Sequence, residues 1–233
     1  MNLEIKHYSF DLWLTLIKSN PIFKKKRAIY FYENYNINNE SLEFVEKAFR
    51  NVDLMCNAIN EKTGGNVDSE EMYLMVIYQI NNSNNFFNDL NLSKLYSKME
   101  VLFFKYAPIL FDENTIIVLD NLKENSDNSL NILSNTAFIK GSTLKQLLDK
   151  LNISKYFDFQ IYSDEVGFSK PNTKMFDLLL EKIKTHRKDI VLSKQQIMHI
   201  GDNEIADIEG AKTAGLQTFL INSNNKNILN ILD

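Results

Sequence analysis

Cysteine is almost absent from this chain. The single residue, Cys56, excludes an intramolecular disulfide, and far from any His-rich neighbourhood it is expected to pack in a reduced compartment. Arginine is nearly as scarce. Arg27, Arg50 and Arg187 are the only arginines among 26 basic residues. Glycine numbers 7 in 233 residues, far below the average usage of about 7%, so it is expected only where no other residue fits. No apolar run approaches the length of a transmembrane helix, and no internal repeat of fixed period is present. There is no basic excess either: the formal net charge is -4, so a general affinity for nucleic acid or acidic membrane has no support. The N-terminal run MNLEIKHYSFDLWLTL carries charges from its first residues and lacks a signal-peptide layout. A cytoplasmic protein is therefore expected.

What the chain does have is an ordinary globular composition, 44% hydrophobic and 24% charged, and a length that allows a core plus a smaller inserted unit. Short apolar segments ending in polar residues read as buried strands at 4–12, 129–135, 157–164, 196–202 and 216–222. Helical spacing separates the later ones, over 113–124, 142–151, 173–185 and 205–214. This alternation predicts an α/β fold, a Rossmann-like parallel sheet with helices on both faces, whose site lies at the carboxyl ends of the strands. Between Pro21 and Pro108 the pattern changes to three- and four-residue apolar spacing throughout, broken at Asn-Asn pairs and at Gly64-Gly65. An all-helical insertion is expected there, dividing the chain into a core of residues 1–18 and 109–233 and a helical unit of residues 19–108.

Chemistry-bearing residues follow the predicted strands one group at a time. FDLWLTL places Asp11 just past the first strand, with Thr15 four residues on. ILSNT carries Ser134 and Asn135. GFSKP carries Lys170, and HIGDNEIADIEGA carries Asp202 and Asp207. Five of the seven glycines (Gly141, Gly167, Gly201, Gly210 and Gly215) lie within or beside these motifs. Singly, each group is ordinary cap or turn chemistry; in this order, at successive strand ends, they suit phosphoryl transfer. A carboxylate attacking an anionic phosphate needs cations around it. Asp11 and Asp202 offer hard oxygen ligands to Mg²⁺, Lys170 adds fixed positive charge, and Ser134 and nearby backbone N–H groups offer donors. An aspartyl intermediate would divide one difficult displacement into two.

These motifs resemble the haloacid dehalogenase superfamily. FDLWLTL is similar to its first motif, ILSN to the second, GFSKPNTKMF to the third and HIGDNEIADIEGAKTAGL to the fourth, and the helical segment resembles the cap that the family inserts after the first motif. The resemblance implies a hydrolase in which Asp11 is nucleophile and Mg²⁺ ligand, and Ser134, with its neighbour Asn135, and Lys170 hold the transferring group. Mg²⁺ would also be held by Asp202 and the main-chain carbonyl of Trp13, with Asp207 on the metal side or just behind it. The implied substrate is a small phosphorylated metabolite chosen by the cap.

The chain departs from the family pattern at Trp13. Family phosphatases carry there a second Asp that protonates the leaving group and then activates water, which indole cannot do. Haloacid dehalogenases have an aromatic Tyr at this position, so a 2-haloacid dehalogenase-like enzyme is an alternative, although the Gly201-Asp202 pair favours phosphoryl chemistry. A catalytically feeble ligand-binding protein is another. Ala206 replaces a common Asn in the fourth motif. His199 is expected to be a satisfied core histidine, His7 and His186 show no partner in the sequence, and the run KKKR at 24–27 is expected to be a solvated helix face, with binding of an anionic substrate at the start of the cap as the alternative.

Overall fold

The computed structural model describes residues 4–82, 89–187 and 191–232. Strand β1 (His7–Phe10) lies at the centre of a five-stranded parallel sheet. It is followed at once by a tight turn, in which the amides of Leu16 and Ile17 both reach the Leu12 carbonyl. Leu14 takes a left-handed φ of 58° there. The chain leaves through β2 (Ile17–Lys18) and returns through β3 (Ile109–Leu110), which pair antiparallel as a two-stranded ribbon.

Between those two short strands run helices α1 (Pro21–Asn34), α2 (Leu42–Thr63), α3 (Ser69–Ile80) and α4 (Leu92–Lys105). Each begins with side-chain capping: Asn20, Ser41 and Asn91 accept backbone N–H groups, and Asp68 forms a reciprocal box with Glu71. Helix α2 ends at Gly64 in the left-handed conformation, φ 69°. The four helices bury an apolar cluster of their own, centred on Phe31, Phe49, Val52 and Tyr73, into which Phe138 from beyond β4 also inserts.

After β3 the chain alternates. Helix α5 (Thr115–Glu124) leads to β4 (Ser129–Ser134), α6 (Gly141–Lys150) to β5 (Phe159–Tyr162), and α7 (Ser163–Val166) and α8 (Thr173–His186) to β6 (Ile197–Gly201). A widened π-type turn over Glu204–Glu209 runs into α9 (Gly210–Thr213) and then β7 (Gln217–Leu220). Strand β4 is buried throughout, as a parallel strand covered on both faces must be. One core cluster joins Phe10, Leu130 and Ile132 to Val118 and Leu144; another, on the opposite face, joins Leu133 and Ile161 to Phe176 and Leu179.

The expected α/β class, the parallel sheet and the inserted helices are all found. Two local readings change. The strand expected at 157–164 stops at Tyr162, and Ser163 opens α7, because its side chain turns back to take the Thr136 amide at 2.7 Å. The helix expected over 205–214 is divided between the π-type turn and α9. Among the described residues no helix is long and apolar enough to cross a membrane.

Candidate active site

The sheet order changes direction beside β1: the chain crosses to β4 and β5 on one side, then to β6 and β7 on the other. In such sheets a crevice opens at the carboxyl ends of the strands where the order reverses. In register, Phe10 lies between Ile132 and Ile200, so Asp11, Ser134 and Asp202 emerge side by side.

Lys170 ties the group together. It lies in the segment before α8, its side chain is buried, and its ammonium donates three hydrogen bonds: 2.8 Å to Asp11 Oδ1, 2.6 Å to Asp207 Oδ1 and 2.6 Å to the Leu133 carbonyl. An ammonium has three donors, so this one is fully committed. Burial alone would lower its pKa, but the Asp11 and Asp207 carboxylates outweigh that and raise it, which keeps the cation charged. Asn135 fixes the backbone beneath it, accepting from the Lys170 amide at 2.7 Å and donating to its carbonyl at 2.9 Å. The Asn135 side chain thus faces Lys170.

Ser134 donates to Asp11 Oδ1 at 3.3 Å. Asp11 Oδ1 therefore receives both Ser134 and Lys170, while Oδ2 accepts no hydrogen bond among the described residues. Burial pushes the Asp11 carboxyl up against the pull of Lys170, and the charge of Asp207 adds to the rise. For Asp207 burial also acts upward, but Lys170 and His199 prevail and hold it well below the usual carboxylate range. His199 is buried as expected, with Nδ1 3.0 Å from Ser9 Oγ and Nε2 3.2 Å from Asp207 Oδ1. Asp207 Oδ2 takes the Asn203 amide at 3.0 Å, so both of its oxygens are held.

Asp202 is half-buried at the mouth of the site, and burial together with the charges of Asp11 and Asp207 raises its pKa to about 7. Ligand oxygens of Asp11, Asp202 and Asp207 lie within 4.8 Å of one another. Three carboxylates face a single ammonium, and the donors are all hard oxygens, a set that suits a small divalent cation. Gly201 permits this crowding: a Cβ there would come within 2.2 Å of the Asp207 carboxyl group.

A cavity of about 610 Å³ opens above these residues, floored by Asp11, Lys170 and Asp202 and walled by Trp13 and residues of α1 and α2. Trp13 is half-buried, and its ring packs against the core cluster beneath the sheet end. Several hydrogen bonds close the helices over the strand ends. Tyr96 Oη meets Thr143 Oγ1 at 2.9 Å, Ser163 Oγ donates to Asn66 Oδ1 at 2.7 Å, and Lys140 pairs with Glu70.

The reading of 24–27 as a solvated face needs correction at one residue. Lys24, Lys25 and Lys26 are exposed, but Arg27 is buried because it falls on the inward side of α1 against Phe49 and Phe138. Arginine scarcity was the available signal. In a chain that uses lysine almost everywhere, Arg27 and Arg187 stand where a planar fork or ring contact is wanted. Arg187, for example, reaches the Asp127 carbonyl at 2.6 Å and Ser129 Oγ at 3.0 Å. The Leu133 carbonyl on Lys170 and the His199 contact with Asp207 have no local sequence signal.

Known proteins resemble this chain in sequence and in fold. The chain is 34% identical over 86 residues to the pyrimidine 5'-nucleotidase YjjG of Escherichia coli, covering 36% of each protein. It is 34% identical over 121 residues to the glyceraldehyde 3-phosphate phosphatase of Methanothermobacter thermautotrophicus, covering 51% of this chain and 48% of that one. The aligned part spans half or less of these curated relatives. In three dimensions it resembles the magnesium-bound HAD-hydrolase YfnB from Bacillus subtilis, with a TM-score of 0.70 at 18% identity over 96% of this chain and 92% of that one. It also resembles the L-2-haloacid dehalogenase from Xanthobacter autotrophicus, with a TM-score of 0.59 at 18% identity over 92% and 76%; these two likenesses establish the fold alone. The sequence profile of the haloacid dehalogenase-like hydrolases matches residues 9–221, and the chain belongs to that family.

Proposed function

We propose that this hydrolase is a Mg²⁺-dependent phosphatase acting on a small phosphorylated metabolite through an aspartyl intermediate on Asp11. One observation carries the reading: two carboxylates pair with a single buried ammonium and a third, Asp202, joins their cluster, leaving one Asp11 oxygen unengaged. Asp11, Asp202 and the main-chain carbonyl of Trp13 would hold Mg²⁺, with Asp207 behind them. Bound there, the ion would neutralise phosphoryl charge and keep Asp11 ionised. Lys170 holds Asp11 by Oδ1 and leaves Oδ2 to attack phosphorus. Ser134 exchanges its bond to Asp11 for one to a phosphoryl oxygen. Asn135 and Asp207 keep the lysine in place, and His199 keeps Asp207 in place. The phosphatase names of the relatives support the substrate class. The cap role assigned to residues 19–108 is part of the same proposal, since α1 and α2 wall the cavity.

Dehalogenation of a 2-halo acid is a second reading, favoured by the aromatic ring of Trp13 at the cavity wall. The two separate on one experiment. Sugar, nucleotide and small-acid phosphates are screened with Mg²⁺ and with chelator, 2-halo acids alongside, with Asp11→Asn as control. Phosphate release that needs both Mg²⁺ and Asp11 is expected. Halide release indifferent to chelator would establish the rival. Tight ligand binding with no turnover of any compound would mark a catalytically feeble binding protein instead.

A further inference from the structure

Arg27 is used by nothing so far described. It is 7% exposed, and it lines the same cavity as Asp11 and Lys170. Its guanidinium carbon lies 4.1 Å from the centroid of Phe49, 4.4 Å from that of Phe138 and 5.4 Å from that of Phe23. Phe49 and Phe138 meet edge to face, 5.4 Å apart, so the cation rests over an aromatic corner. Aromatic faces offset part of the cost of burying a cation, but they do not satisfy its N–H fork.

That fork has no anionic partner. The Tyr73 hydroxyl lies beside it as a neutral neighbour, and Arg27 Nε is buried without a hydrogen-bond partner among the described residues. The nearby carboxylate of Asp53 lies 3.6 Å from Arg50, on its own helix, and Arg27 makes no ion pair within the described residues. A buried charge without a counter-ion is costly. A planar fork aimed into a cavity fits a carboxylate or phosphate, which it can take by two parallel bonds. Burial lowers the Arg27 pKa against the pull of Tyr73 and Asp53; it remains charged. Lys24, Lys25 and Arg50 add positive charge to the cavity lining, against Glu46, Asp53 and Glu61 from α2.

We propose that the substrate is a phosphomonoester carrying a second anionic group, a carboxylate or a further phosphate, and that Arg27 receives that group while the phosphoryl end sits over Asp11. This rests on the phosphatase reading and deepens it. It makes Arg27 a specificity-determining residue: it selects what is bound at the far end and takes no part in the displacement.

The test separates the two claims. Binding to the Mg²⁺-loaded protein is measured by calorimetry for three non-hydrolysable series: alkylphosphonates, ω-phosphonocarboxylates and α,ω-bisphosphonates, each of two to six carbons. At the best-fitting length, wild type should bind a doubly anionic compound about tenfold or more tighter than its alkyl counterpart, the size of one bond to a charged group. Whichever series wins identifies the second group as carboxylate or phosphate. Arg27→Met should erase the preference and leave alkylphosphonate binding unchanged; Arg27→Lys should keep part of it. Arg27→Met should also fold with an equal or higher Tm, because an uncompensated charge is gone, so a lost preference cannot be laid to unfolding. Equal affinities in wild type, or a preference that survives in Arg27→Met, would overturn the Arg27 site and leave the phosphoryl site standing. No binding of any phosphonate would overturn both.

Discussion

Trp13 occupies the place where phosphatases of this family keep an acid–base carboxylate, and everything around it is otherwise assembled. Asp11, Ser134 and Lys170 form one hydrogen-bonded group with Asp207. On the proposed phosphatase reading, what is missing is a proton donor for the leaving oxygen and a base for the second displacement. Trp13→Asp should therefore raise phosphatase kcat, by up to about 10²–10⁴-fold for poor leaving groups and least for an activated aryl phosphate. A folded variant no faster than wild type on any phosphate would assign Trp13 to a different reaction. Lys170→Met tests the other half of the group. Removing the ammonium leaves two buried carboxylates uncompensated, so stability should fall by about 3–5 kcal/mol, and adding Asp207→Asn should restore part of it. A melting temperature indifferent to Lys170→Met would contradict the ion pairing described. Gly201→Ala is expected to be damaging too, though less so, since its Cβ would fall on the Asp207 carboxyl group and overpacking of this kind costs about 1–3 kcal/mol.

At the scale of elements, β1 is tied to β4 by side chains as well as by its ladder. His7 Nδ1 lies 2.6 Å from Ser129 Oγ and Nε2 lies 2.8 Å from Asn131 Oδ1, all buried. Burial lowers its pKa from 6.5 to about 4. The folded chain thus keeps His7 neutral where the unfolded chain would protonate it. Its contribution to stability is complete above about pH 6.5 and is lost as the pH falls toward 4, to the extent of about 3 kcal/mol. Thermal melts from pH 7.5 to 4.5 should show a shallower acid decline for His7→Gln than for wild type, even though the variant starts lower. Parallel curves would mean that His7 does not titrate in this range. The turn after β1 carries a strain of its own. Exposed Leu14 sits at φ 58°, where a side chain is disfavoured, and Leu14→Gly should be neutral or slightly stabilising by Tm. A clear loss would show that the leucine side chain, not the backbone turn, is what matters there.

For the whole molecule, the ribbon of β2 and β3 brings both ends of the helical segment together, with Ile17 opposite Leu110. Excising residues 19–108 and closing the gap with a short turn should leave a folded α/β core, provided Phe138 is also made polar, because that ring is buried among the removed helices. Such a core should keep hydrolysis of small activated phosphates and lose discrimination among larger ones, since α1 and α2 wall the cavity. Circular dichroism and a substrate panel read both outcomes. A core that cannot fold would show that the two parts depend on each other for stability and would reject the division at 18 and 109.

The sequence by itself determined the α/β class, the position of the helical segment and the strand ends at which Asp11, Ser134, Lys170 and Asp202 emerge. These follow from local rules: apolar periodicity selects helix or strand, and a parallel sheet presents its site at one edge. Glycine scarcity pointed the same way, and Gly201 shows why, since the Asp207 carboxyl group fills the space a side chain would need. Only the tertiary structure decided how these groups divide their bonds. It spends all three Lys170 donors on Asp11, Asp207 and Leu133, turns the Asn135 side chain onto Lys170, and sets His199 behind Asp207. It also turned Arg27 inward from a run of exposed lysines. No local pattern carries that information, because each of these contacts joins residues from different elements. Whether a charge is buried depends on what the distant chain brings against it.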